Sequence, residues 1–284
     1  MSIQVHELLA SGIGQLRYEP TTKRVRATLG GATVVDSTRA VLVWEPRRIV
    51  PSYAVPAADI HGELAPSTAP TTDGELADGS LLPDVFARPV LDPSVPFSAH
   101  TTAGEAVDVH ANGENSPGAG LRLTDPDLAG YVVLDFPAFD GWSEEDEPIV
   151  GHPRDPFHRI DVLASSRHLR LELDGHVLAE SSRPMLLFET MLPVRYYLPR
   201  GDVRAKLVRS DTHTYCAYKG KASYWSANVG GRLVPDLAWT YREPLTDASR
   251  VAGLVAFFNE RVDVVLDGQR SERPVTPWSP EPRS

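Results

Sequence analysis

Cysteine, aromatic residues and long apolar runs are scarce in this chain. Its 284 residues include a single cysteine, Cys216, which excludes an internal disulfide framework and a zinc site built from thiolates. No apolar run approaches the roughly 20 residues that a membrane-spanning helix needs, so we expect no membrane partner. The first residues have no basic region ahead of their short apolar stretch, which argues against a secretory signal. A chain without disulfides fits a cytoplasmic location.

Positive charge is scarce as well. The chain has 28 Lys and Arg residues against 38 Asp and Glu residues, which gives a net charge of −10. A nucleic-acid surface depends on Lys and Arg side chains that neutralise phosphates, so we expect no nucleic-acid partner. The hydrophobic content of 42% is ordinary for a globular protein, and the length allows two domains of usual size.

The chain does contain a long internal repeat. Residues 25–45 resemble residues 169–189, and the same interval of 144 residues separates the matched positions. The matched pairs are Gly31 and Gly175, Arg39 and Arg183, and Glu45 and Glu189. Duplication of one domain is the simplest explanation, and it predicts domains at 1–163 and 164–284.

Further matches predict where the two copies differ. Tyr53, Pro56 and Asp59 align with Tyr196, Pro199 and Asp202, and Arg159-Ile-Asp161 aligns with Arg261-Val-Asp263. These alignments give the first copy two long insertions, at 65–96 and 140–158. The first insertion is rich in proline and is predicted to be a mobile surface excursion.

Alternating hydrophobicity predicts strands. Val25, Ala27 and Leu29 alternate with Arg26 and Thr28, which is the period of a half-buried strand. Gly-Gly and Asp-Gly pairs follow such segments, and these pairs form two-residue hairpin turns. The predicted fold class is therefore all-β and mainly antiparallel, with at most short helices.

A group of motifs in the second half resembles a known family. The segment Cys216-Ala-Tyr218-Lys219-Gly220, followed by Ala-Ser-Tyr-Trp, is similar to the domain-of-unknown-function family 427. The resemblance implies two tandem tent-like, Mss4-like β domains and carries a nucleotidyltransferase-like label. The motifs do not support that label, because nucleotidyl transfer needs a metal-binding carboxylate pair. Here Asp125-Pro-Asp127 follows Gly120 too closely, and its proline predicts a turn.

Cys216 and Lys219 are the candidate catalytic residues. A partly buried lysine can act as a base, a Schiff-base nucleophile or an anion clamp, and a thiol can act as a nucleophile. Strand periodicity places the two side chains on opposite faces, so a joint site needs a bend, which Gly220 could supply. The alternative is that Cys216 and Tyr218 are core residues. The first copy has His100-Thr-Thr-Ala-Gly in the aligned place and is predicted to be degenerate.

Charged and aromatic residues extend the candidate site. Arg183 and Glu189 are retained in both copies, which favours a structural role, such as an ion pair spanning the fold, and in one uninterrupted strand the two residues would share a face. Trp239 and Tyr241 share strand parity and form either an aromatic wall or part of the core. The predicted ligand-binding residues are Arg183, Glu189, Arg204, Tyr218, Lys219, Asp236 and Trp239.

An acidic, histidine-containing segment lies in the second insertion. Residues 144–147 together with His152, Asp155 and His158 could bind a divalent cation. Their spacing matches no metal motif, so the segment is predicted to be a solvated linker, and no metal is predicted.

Three functions remain open at this level. The first is a small-molecule binding module with a pocket near Lys219 for an anionic or planar ligand. The second is an enzyme that uses Lys219 or Cys216. The third is a structural or interaction protein whose loops at 65–96 and 140–158 form contact surfaces.

Overall fold

The computed structural model describes residues 2–68, 81–85, 88–91 and 95–280. The chain divides into two compact units, Met1–Asp155 and Pro156–Ser284. Antiparallel sheets dominate both units and the helices are short, which confirms the predicted all-β class. Most of the predicted excursion at 65–96 lies outside the described residues.

Short strands and turns make up the first unit. Its strands are β1 Arg17–Pro20, β2 Val25–Leu29, β3 Ala32–Ser37, β4 Val41–Trp44, β5 Ser52–Pro56, β6 Glu63–Pro66, β7 Leu81–Val85, β8 Arg88–Leu91, β9 Gly104–Ala111, β10 Glu114–Leu123, β11 Tyr131–Leu134, β12 Gly141–Glu144 and β13 Glu147–Ile149. Its helical segments are α1 Val5–Ala10 and the 3-10 turns Ala57–Asp59, Pro126–Leu128 and Phe136–Ala138.

The second unit has the same plan. Its strands are β14 Ile160–Ala164, β15 Leu169–Leu173, β16 His176–Ser181, β17 Met185–Glu189, β18 Arg195–Leu198, β19 Lys206–Cys216, β20 Gly220–Val229, β21 Arg232–Tyr241, β22 Val255–Phe257, β23 Asp263–Leu266 and β24 Gln269–Ser271. Its 3-10 turns are Arg200–Asp202 and Thr246–Val251.

Each unit contains a seven-stranded and a four-stranded sheet. In the first unit the strand orders are β1-β4-β5-β11-β10-β9-β6 and β13-β12-β2-β3. In the second unit they are β14-β17-β18-β22-β21-β20-β19 and β16-β15-β23-β24. These sheets correspond strand for strand, as expected if one domain was duplicated, and the first unit also has a two-stranded sheet of β7 and β8.

The main core of each unit lies between its two sheets. In the second unit, Leu171 and Val264 of the four-stranded sheet share one buried cluster with Leu198 and Leu237 of the seven-stranded sheet. These side chains come from alternate strand positions, so each sheet has one face committed to this core. The other face of the seven-stranded sheet carries a second buried cluster, in which Trp239 packs with Ala248 and Val251 of the 3-10 turn Thr246–Val251.

The alignment of Arg159-Ile-Asp161 with Arg261-Val-Asp263 is wrong. Asp161 lies in β14, which pairs with β17 just as β1 pairs with β4. The counterpart of β23 is β12, because β12 pairs with β2 and β13 as β23 pairs with β15 and β24. Residues 141–149 are therefore a hairpin that both copies have. A shared Arg-x-Asp pattern misled the alignment, since Trp142 and Val264 occupy equivalent positions without resembling each other.

Arg183 and Glu189 do not pair with each other, because each has a different ionic partner. Arg183 precedes β17 and its guanidinium NH2 lies 3.3 Å from Asp202 Oδ1, while Ser181 Oγ donates to Asp202 Oδ2 at 2.7 Å. The first unit has the same clip, formed by Ser37, Arg39 and Asp59. The repeated Ser-x-Arg motif thus ties the turn before a strand to the following 3-10 turn.

Candidate functional site

A sharp turn shapes the Cys-Ala-Tyr-Lys-Gly segment. β19 ends at Cys216, residues 217–219 form the turn, and β20 begins at Gly220, which pairs with Cys216. Gly220 has a φ of +85°, a conformation that side chains with a Cβ rarely adopt. The bend that a joint site requires is therefore present. It brings Lys219 close enough to Cys216 for the two to interact electrostatically.

Lys219 is part of a buried ionic cluster. Its ammonium group forms a salt bridge with Glu189 at the end of β17. His158 Nε2 lies 2.9 Å from Glu189 Oε1, and the His158 ring stacks on Tyr218 with 4.2 Å between ring centroids. The structure thus brings together three predicted residues, Glu189, Tyr218 and Lys219. Sequence reasoning missed His158, which it assigned to the solvated acidic segment.

Burial and charge act in opposite directions on this cluster. Burial disfavours the ionised form of Glu189, but Lys219 and the hydrogen bonds from His158 and Lys219 outweigh it and lower the pKa of Glu189 to about 2. Burial also disfavours the Lys219 ammonium, but Glu189 outweighs it and raises the pKa of Lys219 above its ordinary value. Both groups are charged at neutral pH. This opposes a role for Lys219 as base or amine nucleophile, since either role needs the neutral amine.

Aromatic residues cover the outer face of the seven-stranded sheet next to this cluster. Pairing registers align one row of residues across five strands: Met185, Tyr197, Ala256, Trp239 and Tyr224. Tyr241 lies two residues beyond Trp239 on the same face, and both are buried in one cluster with Tyr197. Trp239 Nε1 donates to Tyr197 Oη at 3.1 Å. Trp239 and Tyr241 therefore share one face of the sheet, as their predicted parity requires, and both side chains are buried in this cluster.

The first unit has an aliphatic surface at the same place. Its corresponding row is Val41, Ala54, Val133, Leu121 and Ala106. Leu123 takes the place of Tyr241, and Ser52 takes the place of Arg195 in the strand that pairs with β17. The two copies therefore share a sheet-to-sheet core and differ in chemistry on the opposite face.

Two tyrosine hydroxyl groups and one cysteine thiol group border this face. Burial raises the pKa of Tyr197 to about 12 and that of Tyr241 well above its ordinary value, so both phenols are neutral at neutral pH. Cys216 is half-buried and interacts electrostatically with Tyr241 and Tyr224. The two neutral phenols therefore lie among buried aromatic rings, with one ion pair at the margin.

A sequence comparison identifies the family. The family described as "Domain of unknown function (DUF427)" matches residues 17–76 and 161–268. The chain belongs to this family. No curated protein matches it. Within the described residues, no helix is long and apolar enough to cross a membrane.

Other predicted site residues of this DUF427 protein lie outside the Lys219 cluster. Arg204 is exposed and pairs with Glu180. Asp236 accepts a hydrogen bond from Thr212 Oγ1 at 2.7 Å, and its charge acts on Tyr224. Arg183 belongs to the Asp202 clip described above. These three side chains therefore contact neither Lys219 nor Glu189 through any of the hydrogen bonds or ion pairs found for them.

The first DUF427 copy keeps the buried glutamate with different partners. Gly104 pairs with Leu123 as Ala222 pairs with Tyr241, so Thr101, not Ala103, corresponds to Lys219. Glu45 Oε2 accepts the backbone N–H of Thr101 at 2.6 Å, and His100 Nδ1 lies 2.8 Å from Glu45 Oε1. Glu45 thereby fastens a loop. The earlier alignment of Gly104 with Gly220 is corrected by two residues.

Motifs considered for metal or nucleotide chemistry have structural partners. Glu144 pairs with Lys23 at 2.6 Å. Asp125 Oδ1 accepts the backbone N–H of Asp127 at 3.0 Å, so this Asp-x-Asp segment begins a 3-10 turn. In the part of the chain that the structure describes, no group of three or more His, Cys, Asp or Glu residues is placed to hold a metal ion.

Proposed function

We propose that the second unit binds a small planar ligand on the outer face of its seven-stranded sheet, between Trp239 and Lys219. The observation that supports this proposal is that the two copies have different side chains at equivalent positions. Tyr197, Trp239 and Tyr241 replace the alanine and leucines of the first unit. A scaffold alone does not require this change, since the first unit builds the same sheet from aliphatic residues.

The charges favour a planar ligand over a strongly anionic one. Glu189 neutralises Lys219 within a buried pair, so Lys219 adds little net attraction for an anion. Arg183 and Arg204 are committed to Asp202 and Glu180. Aromatic rings and neutral phenols instead supply stacking and directed hydrogen bonds, which fix a planar molecule in one orientation.

The other predictions have less support. An enzyme that uses Lys219 would have to remove its proton against the pull of Glu189. For an enzyme that uses Cys216, no hydrogen bond within the part of the chain that the structure describes activates the thiol. The prediction that the loop at 140–158 forms a contact surface loses support, because residues 141–149 form a hairpin within a sheet. We retain a cytoplasmic location and the absence of a nucleic-acid partner as predictions from composition.

Substituting the residues of the first copy tests the proposal. We expect some planar heteroaromatic compounds in a thermal-shift screen to stabilise the wild-type protein. The variants Trp239→Leu and Tyr241→Leu should bind those compounds about fivefold to tenfold more weakly, because each removes aromatic stacking worth roughly 1–1.4 kcal/mol. Dissociation constants from isothermal titration provide the measurement.

Matched variants separate binding from folding. Arg183→Ala removes an exposed clip residue and should leave the affinity unchanged. Tyr241→Phe keeps the ring and should lose only the contribution of the hydroxyl. If no compound binds, or if the two leucine variants bind it as tightly as Arg183→Ala does, the proposal fails.

A further inference from the structure

The C-terminal residues 274–280, here called the strap, fold back onto the second unit. Thr276 is buried, and its Oγ1 donates to Glu260 Oε1 at 2.6 Å. The strap has its own internal turn, in which Ser279 donates its backbone N–H to Thr276 O at 3.0 Å and Trp278 donates its backbone N–H to Thr276 Oγ1 at 3.2 Å. The strap is therefore a preformed segment with one buried polar attachment.

The strap places an indole ring beside Arg195. The guanidinium carbon of Arg195 lies 5.7 Å from the Trp278 ring centroid and 5.6 Å from the Trp239 ring centroid. Trp239 belongs to the sheet and is buried, whereas Trp278 is 39% exposed. Trp278 is thus the outer of the two rings, and it can leave without opening the sheet core.

Release of the strap leaves no buried charge without a partner. Arg195 donates two hydrogen bonds to Glu260, both 2.7 Å long. These bonds remain when Thr276 departs, so Glu260 loses one hydroxyl donor and keeps its bidentate partner. The Arg195–Glu260 pair therefore does not depend on the strap, which suits a replaceable occupant better than a core element.

Arg195 also belongs to the face that distinguishes the two copies. It pairs with Leu187 in the second unit, whereas Ser52 pairs with Val43 at the equivalent place in the first. The first unit therefore has no guanidinium at this position on which a ring could stack. Arg195 therefore differs from its counterpart in the first copy, as Tyr197, Trp239 and Tyr241 do.

We propose that Trp278 is an internal occupant of the ligand site, and that a planar aromatic ligand with a hydrogen-bond donor takes its place over Arg195 when the strap lifts. This inference rests on the proposed function and names the ligand class and its competitor. The ring would stack on the guanidinium as the indole does, and the donor would replace the Thr276 hydroxyl on Glu260. Because the strap competes, the affinity measured for the intact chain is reduced by the fraction of open molecules.

Free indole is the probe that tests this exchange. The Trp278→Gly variant should bind indole at least about tenfold more tightly than the wild-type protein does, as measured by isothermal titration and thermal shift. Trp225→Gly is the matched control, because it removes an indole that stacks on another arginine, Arg200, at 4.3 Å. Indole binding by Trp278→Gly and not by Trp225→Gly supports the inference, whereas equal binding by both, or by neither, overturns it.

A second variant covers the case in which Trp278→Gly does not fold. Thr276→Val removes the hydroxyl attachment and should increase indole affinity about tenfold by raising the open fraction; an unchanged affinity contradicts the strap as competitor. The proposed function is judged separately. If planar compounds bind the wild-type protein and are lost in Trp239→Leu, the ligand site stands even when the strap variants have no effect.

Discussion

The Lys219→Met variant is expected to be less stable than the wild-type protein by about 3–5 kcal/mol, because it leaves Glu189 buried without its main counter-ion. Methionine keeps most of the side-chain volume, so the loss reports charge and not a cavity. His158 remains 2.9 Å from Glu189, which places the expected value at the lower end of this range. Urea denaturation, followed by fluorescence and circular dichroism, provides the measurement.

The double variant Lys219→Met with Glu189→Gln tests the cause. It should recover most of the lost stability, since a neutral pair of similar volume leaves no unpaired buried charge. Arg204→Met is the control, because it breaks an exposed salt bridge to Glu180 and should have little effect. If Arg204→Met costs as much as Lys219→Met, or if the double variant is no more stable than the single one, the account of a buried ion pair is wrong.

The same pair fixes a pH dependence. The folded-state pKa of Glu189 is about 2, below its ordinary value of 4.5. Its contribution is therefore fully present above the unfolded-state pKa and is lost as the pH falls towards 2. Acid denaturation of the wild-type protein should steepen across this window, and the double variant should show a shallower slope there.

Much of the fold could be predicted because it depends on local patterns. Alternation in Val25–Leu29 and the glycines that follow it predict a strand and a hairpin turn, and Gly30 and Gly31 do adopt positive φ values of 61° and 76°. The β12–β13 hairpin was missed because only its backbone pairing is shared. Trp142 and Val264 fill the same position with different side chains, so sequence identity gives no signal.

The candidate site was only partly predictable because its contacts join distant segments. The Cys-Ala-Tyr-Lys-Gly motif marks the turn, but nothing in it indicates that Lys219 faces Glu189, 30 residues earlier, or that His158 completes the pair. The even spacing of Arg183 and Glu189 was misleading, because Arg183 lies before the strand begins and turns towards Asp202. The sequence alone predicts which side chains share a face of one strand. Contacts between residues of different strands can be predicted only when the pairing register is known.

The Asp135→Asn variant is expected to stabilise the first unit at alkaline pH. Burial raises the pKa of Asp135 from 3.8 to about 6, against the opposing effects of His100 and Arg48, and Asp135 Oδ1 is buried without a hydrogen-bond partner. The folded state thus favours the neutral carboxyl. Its contribution is fully present below the unfolded-state pKa of 3.8 and is lost as the pH rises through about 6. A shift of about 2 pKa units corresponds to at most about 3 kcal/mol.

Denaturation at about pH 4 and about pH 8 distinguishes this effect from a general change in packing. Asparagine cannot ionise, so Asp135→Asn should gain stability relative to the wild-type protein mainly at the higher pH. Asp59→Asn is a control of opposite sign: despite burial, the hydrogen bonds from Ser37 and Arg39 lower the pKa of Asp59, so this variant should lose stability at the higher pH. Equal effects of Asp135→Asn at both pH values would show that the substitution acts through packing, and would contradict a raised pKa of Asp135 in the folded protein.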